Sequence, residues 1–186
     1  RAGRPPSFRN LRFLCCPDQA EGSLSEYLVM PETSCYRIPD GMSCDEAAIS
    51  EPLAIGLYAV RQSVPMNGAR VGILGFGPIG MSVLLSARAM GATEIYVTDK
   101  IEERLAIARR SGARMTANPD RQDVVEEIIR EAPERLDVVF ECCGQQEALD
   151  QAIELLRPGG KLMILGIPET ARVSFAIDAI RRKEIC

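Results

Sequence analysis

Three glycines, Gly75, Gly77 and Gly80, stand in the order G-x-G-x-x-G between an apolar run, Val71 to Leu74, and an apolar-periodic stretch. A second short apolar run, Ile95 to Val97, leads into an acid, Asp99. That succession of residue types suits the grip of a dinucleotide. Gly75 permits a tight turn off the strand, Gly77 lets a pyrophosphate approach the backbone, and Gly80 lets the following helix pack close. Pro78 has no N–H, but its fixed φ suits a first helical position. Ile79 then carries the next free donor, and the positive end of the helix faces the phosphates. A carboxylate at Asp99 accepts from a ribose 2′-hydroxyl and repels a 2′-phosphate, so the expected cofactor is NAD rather than NADP. Lys100 and Arg104 bring positive charge beside it and keep NADP as the minority reading. Arg104, one turn into a helix, is placed to pair with Asp99 or to cover the adenine.

Two further strand ends carry candidate contacts. Cys142-Cys143-Gly144 follows the apolar strand Leu136–Phe140 and its closing Glu141. Small residues there let the chain pass under a cofactor, and nothing basic is adjacent to lower a thiol pKa. Leu165-Gly166-Ile167 ends another strand, where its backbone meets the carboxamide of a nicotinamide. Glu51 precedes Pro52 and reads, on its own, as a helix N-terminal carboxylate favoured by the dipole. Histidine is absent, so no imidazole of this chain acts as base or metal ligand.

These residues are positioned by a regular alternation. Helices are expected over Ile79–Met90, Glu102–Arg110, about Gln122–Ala132 and Gln145–Leu156, with a short one near Ile177–Lys183. Val124, Val125, Ile128, Ile129 and Ala132 give the cleanest helical stripe. Strands are expected at Val71–Leu74, Ile95–Val97, Arg114–Ala117, Leu136–Phe140 and Lys161–Leu165, with a last one starting near Glu184. Pro158-Gly159-Gly160 reads as a break. The class is α/β, a doubly wound parallel Rossmann sheet, with ligands at the carboxyl ends of its strands. Upstream, Ser23–Met30 and Cys35–Ile38 suit strands, and Pro39-Asp40-Gly41 suits a turn. Ser43-x-x-Glu46 reads as a capping box opening a short helix, Asp45 to about Ile49. A second helix follows from Glu51-Pro52, with Leu53, Leu57 and Val60 on its buried side. Arg1–Ala20 has too little pattern to form a domain. Ser63 to Gly68 is the candidate boundary, giving modules 1–64 and 65–186.

The 186 residues carry 22 basic and 26 acidic side chains, a net charge of −4, which gives no reason to expect nucleic acid or an anionic membrane as partner. No apolar run reaches spanning length and no signal peptide opens the chain. Seven cysteines, an odd number without C-x-x-C, point to reduced thiols and a cytoplasmic setting.

Taken together, EGSLSEYLVMPE, IPDGMSCDEAAISEPLAIGLYAV, VGILGFGPIG, VTD, DVVFECCG and LRPGGKLMILGIP resemble the zinc-type medium-chain dehydrogenases, closest to their sorbitol and butanediol branch. The resemblance implies a GroES-like catalytic domain holding zinc, of which residues 1–64 are a remnant, and a Rossmann domain presenting NAD for hydride transfer. It implies that Ile79, Asp99 and Arg104 contact the cofactor and that Leu165 to Ile167 face the nicotinamide. Glu51, in its E-P-L motif, is implied to sit in or beside the catalytic zinc sphere of an intact parent. The family's first zinc cysteine and Gly-His-Glu have no counterpart here, and Phe8 stands where its fourth structural-zinc cysteine falls. The chain is therefore expected to be the middle of such an enzyme, binding cofactor without turnover by itself. The parent is expected to oxidise a small secondary alcohol or polyol and to form homodimers or homotetramers. The alternatives are a catalytically silent nucleotide-binding module and an NADPH-dependent quinone-type reductase of the same superfamily.

Overall fold

The computed structural model describes residues 14–15 and 22–186. The expectations for Arg1–Ala20 and Phe8 therefore fall almost wholly outside the described residues. The chain divides into two compact units, Arg1–Met42 and Ser43–Cys186. In the first, a short 3-10 helix spans Glu32–Ser34. The expected turn forms, with the Met42 amide donating to the Pro39 carbonyl at 3.2 Å. The expected strands at Ser23–Met30 and Cys35–Ile38 do not form. Leu24, Tyr27 and Val29 lie exposed, and the described residues of this unit offer no neighbouring strand to pair with.

The second unit holds the sheet. Its elements run α1 (Cys44–Ala48), α2 (Ser50–Gln62), β1 (Arg70–Leu74), α3 (Pro78–Ala89), β2 (Glu94–Thr98), α4 (Glu102–Arg110), β3 (Met115–Ala117), α5 (Val124–Glu131), β4 (Leu136–Glu141), α6 (Gln146–Leu155), β5 (Leu156–Ile164) and α7 (Ile177–Lys183). The five strands are parallel in the order β3-β2-β1-β4-β5. The chain thus builds outward from β1 on one side and crosses back to β4 on the other. That reversal between β1 and β4 is where an open α/β sheet leaves a crevice at its carboxyl edge.

Local chemistry explains the elements. Ser43 and Glu46 complete the capping box at the start of α1. Asp123 caps α5, its carboxylate accepting from the Val125 and Glu126 amides at 3.0 Å. Alternation along the strands divides the core. Val71, Ile73, Ile95, Val97, Val138 and Phe140 pack on the side that also buries Val83, Leu84, Leu105 and Ala108. Leu74, Tyr96, Leu136 and Val139 pack with Ile128, Ala132, Ala148 and Ala152 on the other.

Some details differ from the sequence reading. The boundary expected at 64/65 lies inside the second unit, because α2 packs on α3 through Gly56, whose missing Cβ leaves room for the Ser82 backbone. Leu53 and Leu57 are consequently only half-buried, while Gly56, Ala59 and Val60 make the close contact. The helix expected to run to Met90 ends at Ala89, and Met90 is its exposed C-cap. Pro158-Gly159-Gly160 does not break the chain but lies within β5, which is irregularly paired with β4 between Leu136 and Val138. At the far end Glu184 adopts a left-handed cap rather than strand geometry. Cys186 nevertheless exchanges bonds with β5, donating to Gly160 and accepting from Leu162. Lys183 docks α7 by donating to the carbonyls of Ile153, Glu154 and Leu156 at the end of α6.

At the amino edge of the sheet, Asp137 gathers the Arg70 amide at 2.8 Å and the Arg157 guanidinium at 2.6 Å. Burial alone would raise this carboxyl, but those two donors hold it below its ordinary value. A folded-state pKa below the unfolded one gives stability that is present above about pH 4 and lost as pH falls through the folded value. We predict that Asp137→Asn costs about 1–2 kcal/mol at neutral pH and flattens the acid side of a plot of melting temperature against pH. An unchanged acid-side slope would contradict this role.

Candidate functional site

The carboxyl ends of β1, β4 and β5 meet with no room for extra atoms. Gly75 holds φ at +92°, and a Cβ built on it would lie 2.8 Å from the Cys143 Cβ. Its amide donates to Thr98 at 2.8 Å, while the Cys142 amide donates to Leu74 at 2.8 Å, so the turn is tied to both flanking strands. Gly80, in the first turn of α3, sits directly against the Gly75 carbonyl. Gly144 and Gly166 are in mutual backbone contact, and a Cβ on Gly144 would lie 2.5 Å from the Ile167 carbonyl oxygen.

Gly77 is different. It is the N-cap of α3, with φ at −78°, a value open to any residue. The nearest atom to a Cβ built there is the Arg104 Nη1, at 3.9 Å. Nothing in the protein demands a glycine at this position. The space in front of it is left open where Pro78 at N1 and Ile79 begin a helix whose first-turn amides lack intrahelical partners.

Two carboxylates organise these backbones. Asp99, 7% exposed, accepts from the Phe76 amide at 2.7 Å through Oδ2 and from the Ile101 amide at 2.8 Å through Oδ1. The Arg104 guanidinium stands 3.5 Å from the same Oδ2. Asp99 therefore both satisfies its own turn and moors the glycine loop. Lys100 turns to Asp120 at 3.0 Å, and Asn118 donates to the Lys100 carbonyl at 3.0 Å.

Glu141 does the same for β4 and is fully buried. Its Oε1 accepts from the Cys143 amide at 2.8 Å, the Gly144 amide at 2.7 Å and the Cys143 thiol at 3.1 Å. Its main-chain carbonyl takes the Leu165 and Gly166 amides at 2.8 and 3.0 Å. Sequence reading treated Glu141 only as the residue closing a strand. The available signal was its parallel with Asp99, an acid ending an apolar strand.

Both thiols are held protonated at neutral pH. Cys143 is exposed at the crevice, yet partial desolvation, then the hydrogen bond to Glu141 and its charge, push its thiol up to about 12. Burial above all raises Cys142 further. Raised thiols of this kind lack the thiolate character of a reactive cysteine, and Cys143 lies where the Gly75 turn approaches closely.

A crevice of about 400 Å³ opens at this edge, lined among others by Gly75, Asp99, Lys100, Arg104 and Cys143. Gly77, Pro78, Ile79 and Gly80 form the adjoining loop and helix start, and Gly144, Leu165, Gly166 and Ile167 the adjoining β4 and β5 exits. Ile101, Asp120, Gln145, Glu147 and Gln151 also line the crevice and were missed. Of these, Glu147 and Gln151 share one face of α6 at i, i+4 spacing, a signal the sequence does contain. Glu51 lies exposed in the first turn of α2 and is not among the crevice residues. Among the described residues no three His, Cys, Asp or Glu side chains converge in a metal-holding group.

Comparison with known proteins fits this geometry. Residues 78–186 match the zinc-binding dehydrogenase family. The chain is 34% identical over 191 residues to a sorbitol dehydrogenase of Bacillus subtilis (strain 168), covering 98% of this chain and 54% of that protein. It is 35% identical to the 2R,3R-butanediol dehydrogenase structure from Bacillus subtilis, with a TM-score of 0.74 over 81% of this chain and 43% of that one. A dehydrogenase structure from Sinorhizobium meliloti 1021 bound to NADP gives 33% identity and a TM-score of 0.83 over 90% of this chain and 50% of that one. The chain spans about half the length of the curated relatives it matches.

We predict that Gly166→Ala, which would drive a Cβ to 2.5 Å from Glu141 Oε2 and against the Gly144 backbone, destabilises the chain by about 2 kcal/mol or more. A thermal or urea melt reads this directly, and an unchanged midpoint would show that the three strand ends do not meet as described.

Proposed function

The chain belongs to the zinc-binding dehydrogenase family, and from that premise we propose that it is the cofactor-binding part of an NAD-dependent dehydrogenase acting on a secondary alcohol or polyol. The observation that carries this reading is the open space at Gly77, before a helix start whose amides have no internal partner. In this reading Gly75, Gly77 and Gly80 shape the loop, and Ile79 offers its amide to the pyrophosphate. Asp99 accepts from the adenosine ribose hydroxyls. It is already held by two amides, so it cannot swing aside for a 2′-phosphate. Lys100 and Arg104 are each engaged with a carboxylate, which leaves little free positive charge for such a phosphate. Cys143 and Gly144 floor the crevice, and Leu165, Gly166 and Ile167 present their backbone to the nicotinamide.

The nicotinamide, when bound, supplies hydride acceptance, and the residues named here orient it and close one side against water. Zinc belongs to the parent enzyme in this reading, with Glu51 as this chain's contribution beside it, and would polarise the alcohol oxygen there. The described residues do not assemble a zinc site of their own. The 186-residue chain is read as binding cofactor without turnover, and its parent as a homodimer or homotetramer. The Sinorhizobium relative bound to NADP motivates the second reading, NADP use, which the mooring of Asp99 disfavours.

Two outcomes are expected by calorimetry on the chain. NAD should bind at least about tenfold more tightly than NADP, since a 2′-phosphate would be set against a like-charged carboxylate that its two amides hold in place, a repulsion of about 1.4 kcal/mol or more. Equal or reversed affinities would overturn the NAD assignment. Gly77→Ala should leave the melting temperature within about a degree, because the protein has room for the methyl, yet weaken NAD at least about tenfold by filling the phosphate approach. Unchanged NAD affinity in that variant would remove the main support for this function.

A further inference from the structure

Glu141 does more than its backbone clamp requires. It receives three hydrogen bonds on Oε1 and donates none, the pattern of a carboxylate. Its Oε2 is buried without any hydrogen-bond partner. No Lys or Arg pairs with it among the described residues. The groups in hydrogen-bond contact with Glu141 are neutral: the Cys143 thiol and amide, the Gly144 amide, and the Leu165 and Gly166 amides on its carbonyl; the charged Asp99 and Arg104 belong to the crevice beyond Cys143. Only the bare Cα of Gly166 separates Oε2 from the β5 exit, since a Cβ there would lie 2.5 Å from that oxygen. A buried charge without a partner is costly and is strongly felt by any charge that enters the same low-dielectric region.

We propose that Glu141 sets the oxidation-state preference of the bound cofactor, its unpaired buried charge favouring the cationic ring of oxidised nicotinamide over the neutral ring of the reduced form. The inference rests on the reading that Leu165–Ile167 face the nicotinamide. In the parent reaction the alcohol carbon gives a hydride, two electrons with one hydrogen, to the ring, the hydroxyl proton leaves, and the ring loses its positive charge. An anion beneath the β5 exit therefore assists entry of the oxidised cofactor and release of the reduced one. Glu141 acts through space, as an electrostatic positioning residue, and needs no contact with the ring.

The test compares NAD⁺, NADH and ADP-ribose binding to the unaltered chain and to Glu141→Gln. Glutamine can keep a carbonyl where Oε1 stands, so the clamp on Cys143 and Gly144 survives while the charge goes. The expected result is a fall of about tenfold in the ratio of NADH to NAD⁺ dissociation constants, with ADP-ribose affinity unchanged, because ADP-ribose lacks the ring. Glu141→Asp, which keeps the charge, should hold the ratio within about twofold of the original. Should Glu141→Gln not stay folded in plain buffer, both proteins are compared in a stabilising osmolyte such as trimethylamine N-oxide, with all three ligands measured in the same solvent. NAD⁺ and NADH affinities that shift by the same factor would overturn the inference while leaving dinucleotide binding intact. Failure of all three ligands to bind the unaltered chain would instead overturn the underlying reading, and the inference with it.

Discussion

Everything at the carboxyl edge of this sheet depends on backbone meeting backbone. The turn after β1 lies against the turn after β4, and that turn lies against the exit of β5, each contact made where no Cβ intervenes. Polypeptide brought this close would ordinarily leave amides without acceptors in a buried place. Two side chains prevent that. Asp99 gathers the amides of Phe76 and Ile101, and Glu141 gathers those of Cys143 and Gly144. Acids ending neighbouring strands thus do for the loops what the ladder does for the strands.

The two acids are not equivalent. Asp99 has Arg104 beside it and lines an open crevice, so its charge is partly compensated and accessible to a ligand. Glu141 is wholly enclosed, with one oxygen unpartnered. The sheet therefore offers a ligand a polar, charge-balanced half near β2 and, near β4 and β5, a half built over an enclosed acid without a cationic partner among the described residues. A dinucleotide is asymmetric in the same sense, with hydroxyl-rich adenosine at one end and a ring that changes charge at the other. The opposite edge of the sheet carries a different device, the Asp137 pairing with Arg70 and Arg157, which ties strands together away from the crevice.

Much of this was legible in the sequence because its signals are local. The helix over Glu102–Arg110 and the short helix Ile177–Lys183 both form over the spans read from the sequence. The glycine spacing located the loop, and Asp99 closed β2 as its position implied. What was not legible depends on tertiary partners. Ser23–Met30 has the alternation of a strand but no neighbouring strand among the described residues of its unit. Pro158-Gly159-Gly160 has the composition of a break, yet β4 offers hydrogen bonds that carry β5 through it. The burial of α2 runs through Gly56 rather than its leucines because the approach of α3 is closer than leucine side chains allow. Glu141 carries the same local signal as Asp99, an acid ending an apolar strand, but its clamp on Cys143, Gly144 and the β5 exit depends on tertiary partners that the sequence does not display.

The proposed dinucleotide would lie across the carboxyl edge between β1 and β4. Backbone amide chemical shifts of the isotope-labelled chain, followed during titration with NAD⁺, test this placement residue by residue. Saturable shifts are expected at Gly77, Ile79, Gly80, Gly144 and Gly166, with Asp137 and Arg157 at the opposite edge unmoved. Saturable shifts confined to the opposite edge, or none at the glycine loop, would contradict it.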